Sequence, residues 1–255
     1  MTVIELYQFL NERIPASLSC DWDNDGLMCA PDRSREVKSV LLALDVTEAV
    51  VDEAAAGGYD VILSHHPLIF RPLKNLSGGD PCSRKLLKLV QNGIAVMSFH
   101  TRLDALRGGV NDVLASLLSL EGVEAFGHEG EMIGRIGSLP APMAFADFAG
   151  LVKEVLHAPF VSCVDCHRPV SKVALVGGDG KDYMKDAHLA GADVYLTGTL
   201  SYNMMVDAAE LGLGLIEAGH FHTEQPVLRF LERILLEWDG TLRITLTDSN
   251  SVITL

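Results

Sequence analysis

The feature that most constrains this chain is that its second half repeats the plan of its first. Residues 37–63 and 170–196 align without a gap, and eight of the 27 positions are identical. Val37, Val40, Leu42, Ala54, Gly58, Asp60, Val61 and Leu63 answer to Val170, Val173, Leu175, Ala187, Gly191, Asp193, Val194 and Leu196. Each window runs from a short apolar segment through a helix-like stretch and a glycine turn into a second apolar segment. That order is the strand–helix–strand unit of a parallel sheet. Apolar patterning is common to all such units, whereas the shared Gly-x-Asp-Val turn is not.

The repeat predicts an α/β fold of two similar lobes, residues 1–125 and 126–255, meeting near Gly122 to Gly130. At 255 residues the chain can bury two modest cores. Ile4, Tyr7, Leu10 and Ile14 predict an opening amphipathic helix stopped by Pro15. A third strand, 94–97, corresponds to 214–217, the first half carrying 13 extra residues on the way. This sets His100 opposite His220 and Asp104 opposite Glu224. The tail, 241–255, alternates apolar and polar residues at Leu242, Ile244 and Leu246, as a half-buried antiparallel strand would. It belongs either to the second lobe or, returning, to the first.

In open α/β sheets, functional groups gather beyond the carboxyl ends of the strands. His65 and His66 follow Val61-Ile62-Leu63, His100 and Asp104 follow 94–97, and His220 and Glu224 follow Leu215-Ile216. Successive strand residues point to opposite faces, so His65 and His66 converge only where the strand has ended, as Pro67 indicates. The spacings His100-x-x-x-Asp104 and His220-x-x-x-Glu224 put both groups on one side of a helical turn starting there. His65, His66, Asp104, His220 and Glu224 are therefore the candidate ligands of two divalent ions in the cleft between the lobes. Their nitrogen and oxygen donors suit zinc, iron or manganese better than calcium. Two four-coordinate ions need about eight donor positions. With Glu224 bridging, five residues fill about six, and a shared water takes the remainder, which is the arrangement of a reactive site. His100 is assigned a supporting role, orienting a ligand or shuttling a proton, with direct ligation as the alternative.

A formal charge of −14 argues against a nucleic-acid backbone or an anionic membrane as the main partner. Every apolar run is too short to span a bilayer, and the N-terminus lacks the pattern of an export signal. Five cysteines without a disulfide-framework spacing suit a reducing compartment, so a cytoplasmic protein is expected. Cys163-Val164-Asp165-Cys166-His167 fits a haem-attachment pattern, but it reads as a reduced pair on the way into the second lobe. Gly177-Gly178-Asp179-Gly180 reads as a strand-to-helix connection, with a phosphate-cradling turn as the alternative. Asp21, Asp23 and Asp25 read as a solvated, cap-forming stretch.

Five segments together resemble the Nif-three-like family, the GTP cyclohydrolase type 2 homologues. They are Trp22-Asp23-Asn24, Leu42 to Thr47, Ser64-His65-His66-Pro67-Leu68-Ile69-Phe70, His100-Thr101-Arg102-Leu103-Asp104, and Ala218-Gly219-His220 through Glu224. The resemblance runs from about residue 5 to the C-terminus and matches the compact form without a middle insertion domain. It implies two α/β lobes, a toroidal homohexamer and a dinuclear metal centre. The ligand roles it carries over fall on His65, His66, Asp104, His220 and Glu224, with His100 beside the metals. The chain departs from the family pattern at Asp25, in place of an apolar residue, and at Arg102, in place of Asn. It also has Thr199 and Asn203 where an Asp and a His are common. Arg102, next to the metals, is a candidate for holding a substrate phosphate or carboxylate.

The expected function is a metal-dependent hydrolase acting on a small nucleotide or phosphoester-like substrate through a water bridging the two ions. The alternative is a non-catalytic metal-binding assembly or regulatory protein, to which the departures at Thr199 and Asn203 lend weight.

Overall fold

A computed structural model of the chain describes residues 1–128 and 130–252. The chain builds β1 (Gly26–Cys29), β2 (Ser39–Ala43), β3 (Val61–Ser64) and β4 (Ala95–Ser98) into one sheet. It then makes a second sheet from β5 (Glu121–His128), β6 (Glu131–Met143), β7 (Ser162–Val164), β8 (Val170–Val176), β9 (Val194–Thr197) and β10 (Gly214–Glu217). Finally it adds β11 (Arg243–Leu246) to the first. The helices, in chain order, are α1 (Val3–Arg13), α2 (Glu48–Ala56), α3 (Pro81–Asn92), α4 (Thr101–Ala105), α5 (Val110–Leu117), α6 (Phe145–Val155), α7 (Met184–Leu189), α8 (Tyr202–Leu211), α9 (His220–Glu224) and α10 (Leu228–Trp238). Among the described residues no helix is long and apolar enough to cross a membrane.

The duplication read from the sequence is present in the strand order. The first sheet runs β1-β4-β3-β2-β11, and the second runs β5-β6-β8-β9-β10-β7. In both, a run of parallel strands, four in the first sheet and three in the second, ends on a short antiparallel edge strand, β1 against β4 and β7 against β10. β2, β3 and β4 are buried at every residue, as strands of a parallel sheet covered on both faces must be. Leu41, Val50, Ile62, Leu89 and Val96 pack one core, while Phe148, Val152, Val173, Leu196 and Ile216 pack the core on one face of the second sheet. Each fully buried side chain of this size contributes about 1.5–3 kcal/mol.

The Gly-x-Asp-Val turn supplies the reason for its own repetition. The Asp60 carboxylate accepts the backbone N–H of Lys38 (2.9 Å) and Ser39 (3.0 Å) and an ion pair from Arg35 (2.7 Å). In the second sheet Asp193 accepts the N–H of Ser171 (3.0 Å) and Lys172 (2.9 Å) and pairs with Arg168 (3.1 Å). Each aspartate clamps the start of one strand to its neighbour. Burial alone would raise the Asp60 carboxyl, but these donors outweigh it and hold it below the ordinary value.

Three expectations are corrected. The change of sheet does not fall at 125/126. The compact units are Met1–Leu103 with the described chain from Leu228 on, and Asp104–Val227. β5, from Glu121, pairs with β6 in the second sheet, and α10 belongs with the first unit. The tail strand does join the first sheet, but β11 runs parallel to β2, because α10 returns the chain to the same end of the sheet. The third-strand register also slips by one. Val61 pairs with Ala95 and Val194 with Gly214, so Ala95 corresponds to Gly214 and His100 to Gly219.

At the β5–β6 turn, His128 stacks on Tyr183 (4.7 Å, 12°) and contacts Asp186 (3.2 Å) and Glu131 (3.3 Å). The Asp186 hydrogen bond is the main reason its pKa is raised. The stabilisation is therefore whole below about pH 6.5 and fades as pH climbs through the raised value. An NMR titration of His128 is expected to show a midpoint above that of an ordinary histidine, and Asp186→Asn to bring it back down. Asp60→Ala and Asp193→Ala are each expected to lower unfolding free energy by about 2–3 kcal/mol in urea titrations, since each leaves two strand amides and an arginine without their acceptor.

Candidate metal centre

In the first unit, β3 ends at Ser64, and His65 and His66 follow on backbone held from both sides. His66 N–H reaches the Leu44 carbonyl at 2.9 Å, and Phe99 N–H reaches the Ser64 carbonyl at 2.9 Å. Each imidazole is backed by an acceptor at Nδ1. For His65 it is the Phe99 carbonyl (2.9 Å), for His66 the Asp45 carboxylate (2.8 Å), and for His100 the Asp23 carboxylate (2.9 Å). A proton placed on Nδ1 by these acceptors leaves the ring lone pair on Nε2, the tautomer of a metal-ligating histidine. One ligand nitrogen from each of the three rings lies within 4.8 Å of the others, so the group could hold a metal ion. The ring centroids are 4.9–5.6 Å apart.

Asp23 shows how tightly this backing is built. Burial raises its carboxyl, yet the hydrogen bond and charge of His100, with the Thr101 hydroxyl and amide, bring it down to about 2. The loop carrying it was read as solvated, but the Asp23 side chain is fully covered. Its neighbour Asp25 accepts Arg102 Nε (2.8 Å) and Nη2 (2.7 Å) as a two-pronged pair, and the His100 N–H at 3.2 Å.

In the second unit, Asp104 lies on α4, and His220 and Glu224 lie four apart on α9, with His220 Nε2 3.1 Å from Glu224 Oε2. Asp104 is 7% and Glu224 3% exposed, and one oxygen of each lies within 4.8 Å of the other. Two carboxylates so close and so buried repel unless a proton or a cation sits with them. Space beside Glu224 is reserved by Gly178, where φ is +65° and an added Cβ would lie 2.0 Å from Glu224 Oε1 and 3.1 Å from His220 Nε2. The donor set and its surroundings thus fit a divalent ion.

The Duf34/NIF3 (NGG1p interacting factor 3) profile matches residues 1–251. The chain belongs to this family. A GTP cyclohydrolase 1 type 2 homolog of Clostridium perfringens is 34% identical over 89% of this chain and 88% of that protein. Among solved structures, reduced HcgD from Methanocaldococcus jannaschii has a TM-score of 0.84 at 31% identity, covering 96% of this chain and 97% of that one. Protein SA1388 of Staphylococcus aureus has a TM-score of 0.91 at 23% identity over 100% and 99%, a likeness of fold.

In this DUF34/NIF3 protein, His65, His66 and His100 come together, as do His220 and Glu224. His100 precedes α4 rather than standing within it, and it joins the other two imidazoles instead of pairing with a helix neighbour. Arg102 is not placed to hold a substrate. It is 1% exposed, and its guanidinium is taken by Asp25, Asn11 (2.6 Å) and the Ile14 carbonyl (3.1 Å), over the Phe99 ring. Asp25 and Arg102 are the two halves of one buried ion pair. The glycine turn is not a phosphate cradle either. The amides of Gly177, Gly178 and Gly180 are already accepted by Asn111 (2.8 Å), Thr223 (3.0 Å) and Thr197 (3.1 Å).

Asp23 and Asp45 sit in the segments that resemble the family, but nothing in their spacing marks either as the partner of a histidine, and Asn111 carries no signal at all. Fully buried, Asn111 joins the Asp104 carbonyl (3.3 Å), the Ile133 carbonyl (2.9 Å) and Gly177 N–H. Thr199 places a hydroxyl 3.4 Å from His220 Nδ1. Asn203 is exposed on α8.

Asp25→Ala is expected to cost about 3–5 kcal/mol, because Arg102 would stay buried without its carboxylate. The stabilisation from Asp23 is whole above its unfolded value of about 4 and fades as pH falls toward 2. Urea midpoints of the wild type and Asp23→Asn should therefore differ most above pH 4 and converge on acidification.

Proposed function

We propose that this protein is a dinuclear metal-dependent hydrolase in which His65, His66, Asp104, His220 and Glu224 hold two divalent ions of the zinc, iron or manganese type. The observation that carries the reading is the backing of His65 and His66, together with His100, by Nδ1 acceptors, which turns their lone pairs toward one another. The buried Asp104 and Glu224 carboxylates support it from the second unit. When bound, paired ions supply Lewis acidity toward an ester or ring oxygen and acidify a shared water.

The chain's own groups do the remainder. Asp45 and the Phe99 carbonyl keep the His66 and His65 protons on Nδ1. Glu224, with Gly178 leaving room beside its carboxylate, would be the shared carboxylate ligand. His100, with Asp23 behind it, can carry a proton as an imidazole–carboxylate pair, so that a leaving group receives it from Nε2. The substrate class is a nucleotide or a phosphoester-like small molecule. The name of the Clostridium relative directs the first trials to guanine nucleotides. The working form is a toroidal homohexamer in the cytoplasm, a mass that light scattering on the eluting protein reads directly.

A second reading, a metal-binding assembly or regulatory protein without turnover, is favoured by Thr199. A hydroxyl behind His220 raises ligand basicity less than the carboxylates behind His66 and His100 do.

Elemental analysis of protein purified in manganese is expected to give about two ions per chain, with His65→Ala and Glu224→Ala each losing roughly ten- to a hundredfold in metal affinity or more. Turnover of a nucleotide panel that disappears in Glu224→Ala supports the hydrolase. Full metal occupancy with no turnover on any member supports the second reading.

A further inference from the structure

Two large aromatic side chains stand exposed beside the imidazole group of the first unit. Trp22 is 56% and Phe70 47% exposed, yet each ring centroid lies 6.3 Å from that of His100 and 6.3 Å from the other. An aromatic surface in contact with water is costly, and on a loose loop it would fold over. Here both are held in place by polar neighbours. Asp23, next to Trp22, is bound to His100 and to the Thr101 amide and hydroxyl. Asn24 donates its side-chain amide to the carbonyl of Ile69, next to Phe70, tying the two loops together.

The rings of Trp22 and Phe70 stand at 73° to each other. A flat ring laid on the face of one therefore meets the other edge-on, so that both favoured aromatic geometries are satisfied at once. A preorganised pair of this kind loses little entropy on binding, and a base gains a whole π-face from it where a phosphate gains none and a ribose offers only C–H edges.

We infer that Trp22 and Phe70 form a subsite for a flat heteroaromatic ring, so that the substrate of the proposed metal centre carries a nucleobase-like ring and not only a phosphoester. The inference rests on the hydrolase reading for the word substrate, but the ring subsite is testable without it.

Binding of guanosine 5′-monophosphate and ribose 5-phosphate is measured by calorimetry on the full chain, once after chelator treatment and once loaded with manganese. The nucleotide should bind more tightly than the sugar phosphate in both states, and Trp22→Ala should weaken the nucleotide by about 5- to 150-fold. Trp22→Phe should restore most of that loss. Ribose 5-phosphate affinity should stay the same in all three proteins. Equal affinity of the two probes, or a nucleotide affinity untouched in Trp22→Ala, overturns the subsite even if two ions are bound. A Trp22→Ala protein that changes its solution mass while nucleotide affinity holds assigns the pair to an assembly contact and also overturns it. Ring discrimination in protein that binds no ions keeps the subsite and sinks only the metal reading.

Discussion

Where the proton sits on an imidazole decides whether the ring can take a cation, and in this protein the groups behind the rings make that choice. A main-chain carbonyl and two carboxylates stand at Nδ1 of His65, His66 and His100. Those acceptors are in turn held by the fold. The Phe99 carbonyl belongs to backbone locked between β3 and β4, and Asp23 is bound to the first turn of α4. Removing any of them would free a ring to rotate or change tautomer, and the convergence of nitrogens would be lost before any ligand was touched.

The burial of charge around this group follows one rule. Arg102 and Asp25 are both nearly solvent-free, and a buried ion pair is tolerable only when its remaining donors and acceptors are also satisfied. Asn11, the Ile14 carbonyl and the His100 amide complete the set. Either residue alone would be an uncompensated buried charge. Through the His100 amide, the pair also supports the histidine that it lies beneath.

The duplicated strand–helix–strand unit is a means of delivering side chains to strand ends at a set height. Asp60 and Asp193 clamp the starts of equivalent strands, and with the starts aligned the ends align as well. Ser64 closes β3 and Thr197 closes β9 at the equivalent height, so that His65 answers to Gly198. Thr197 hydroxyl holds the glycine turn that makes room for Glu224. The same scaffold thus carries ligand-type residues at one strand end and a packing hydroxyl at the other.

Apolar period, helix caps and the matched Gly-x-Asp-Val turns are local properties. They were enough to read the α/β class, the repeat and the positions of His65, His66, Asp104, His220 and Glu224 at strand ends and on the turns that follow. Residues such as Asp23, Asp45 and Asn111 look like any polar loop or helix residue, and Arg102 next to a histidine looks available. The one-residue slip between His100 and His220, and the earlier change of sheet, were equally out of reach, because loops of unequal length erase register and strand composition does not say which sheet edge will receive it. Residue type decides what each group can donate or accept. Which group it meets was settled by the folded backbone, which brings to His66, His65 and His100 acceptors that lie 21, 34 and 77 residues away in sequence.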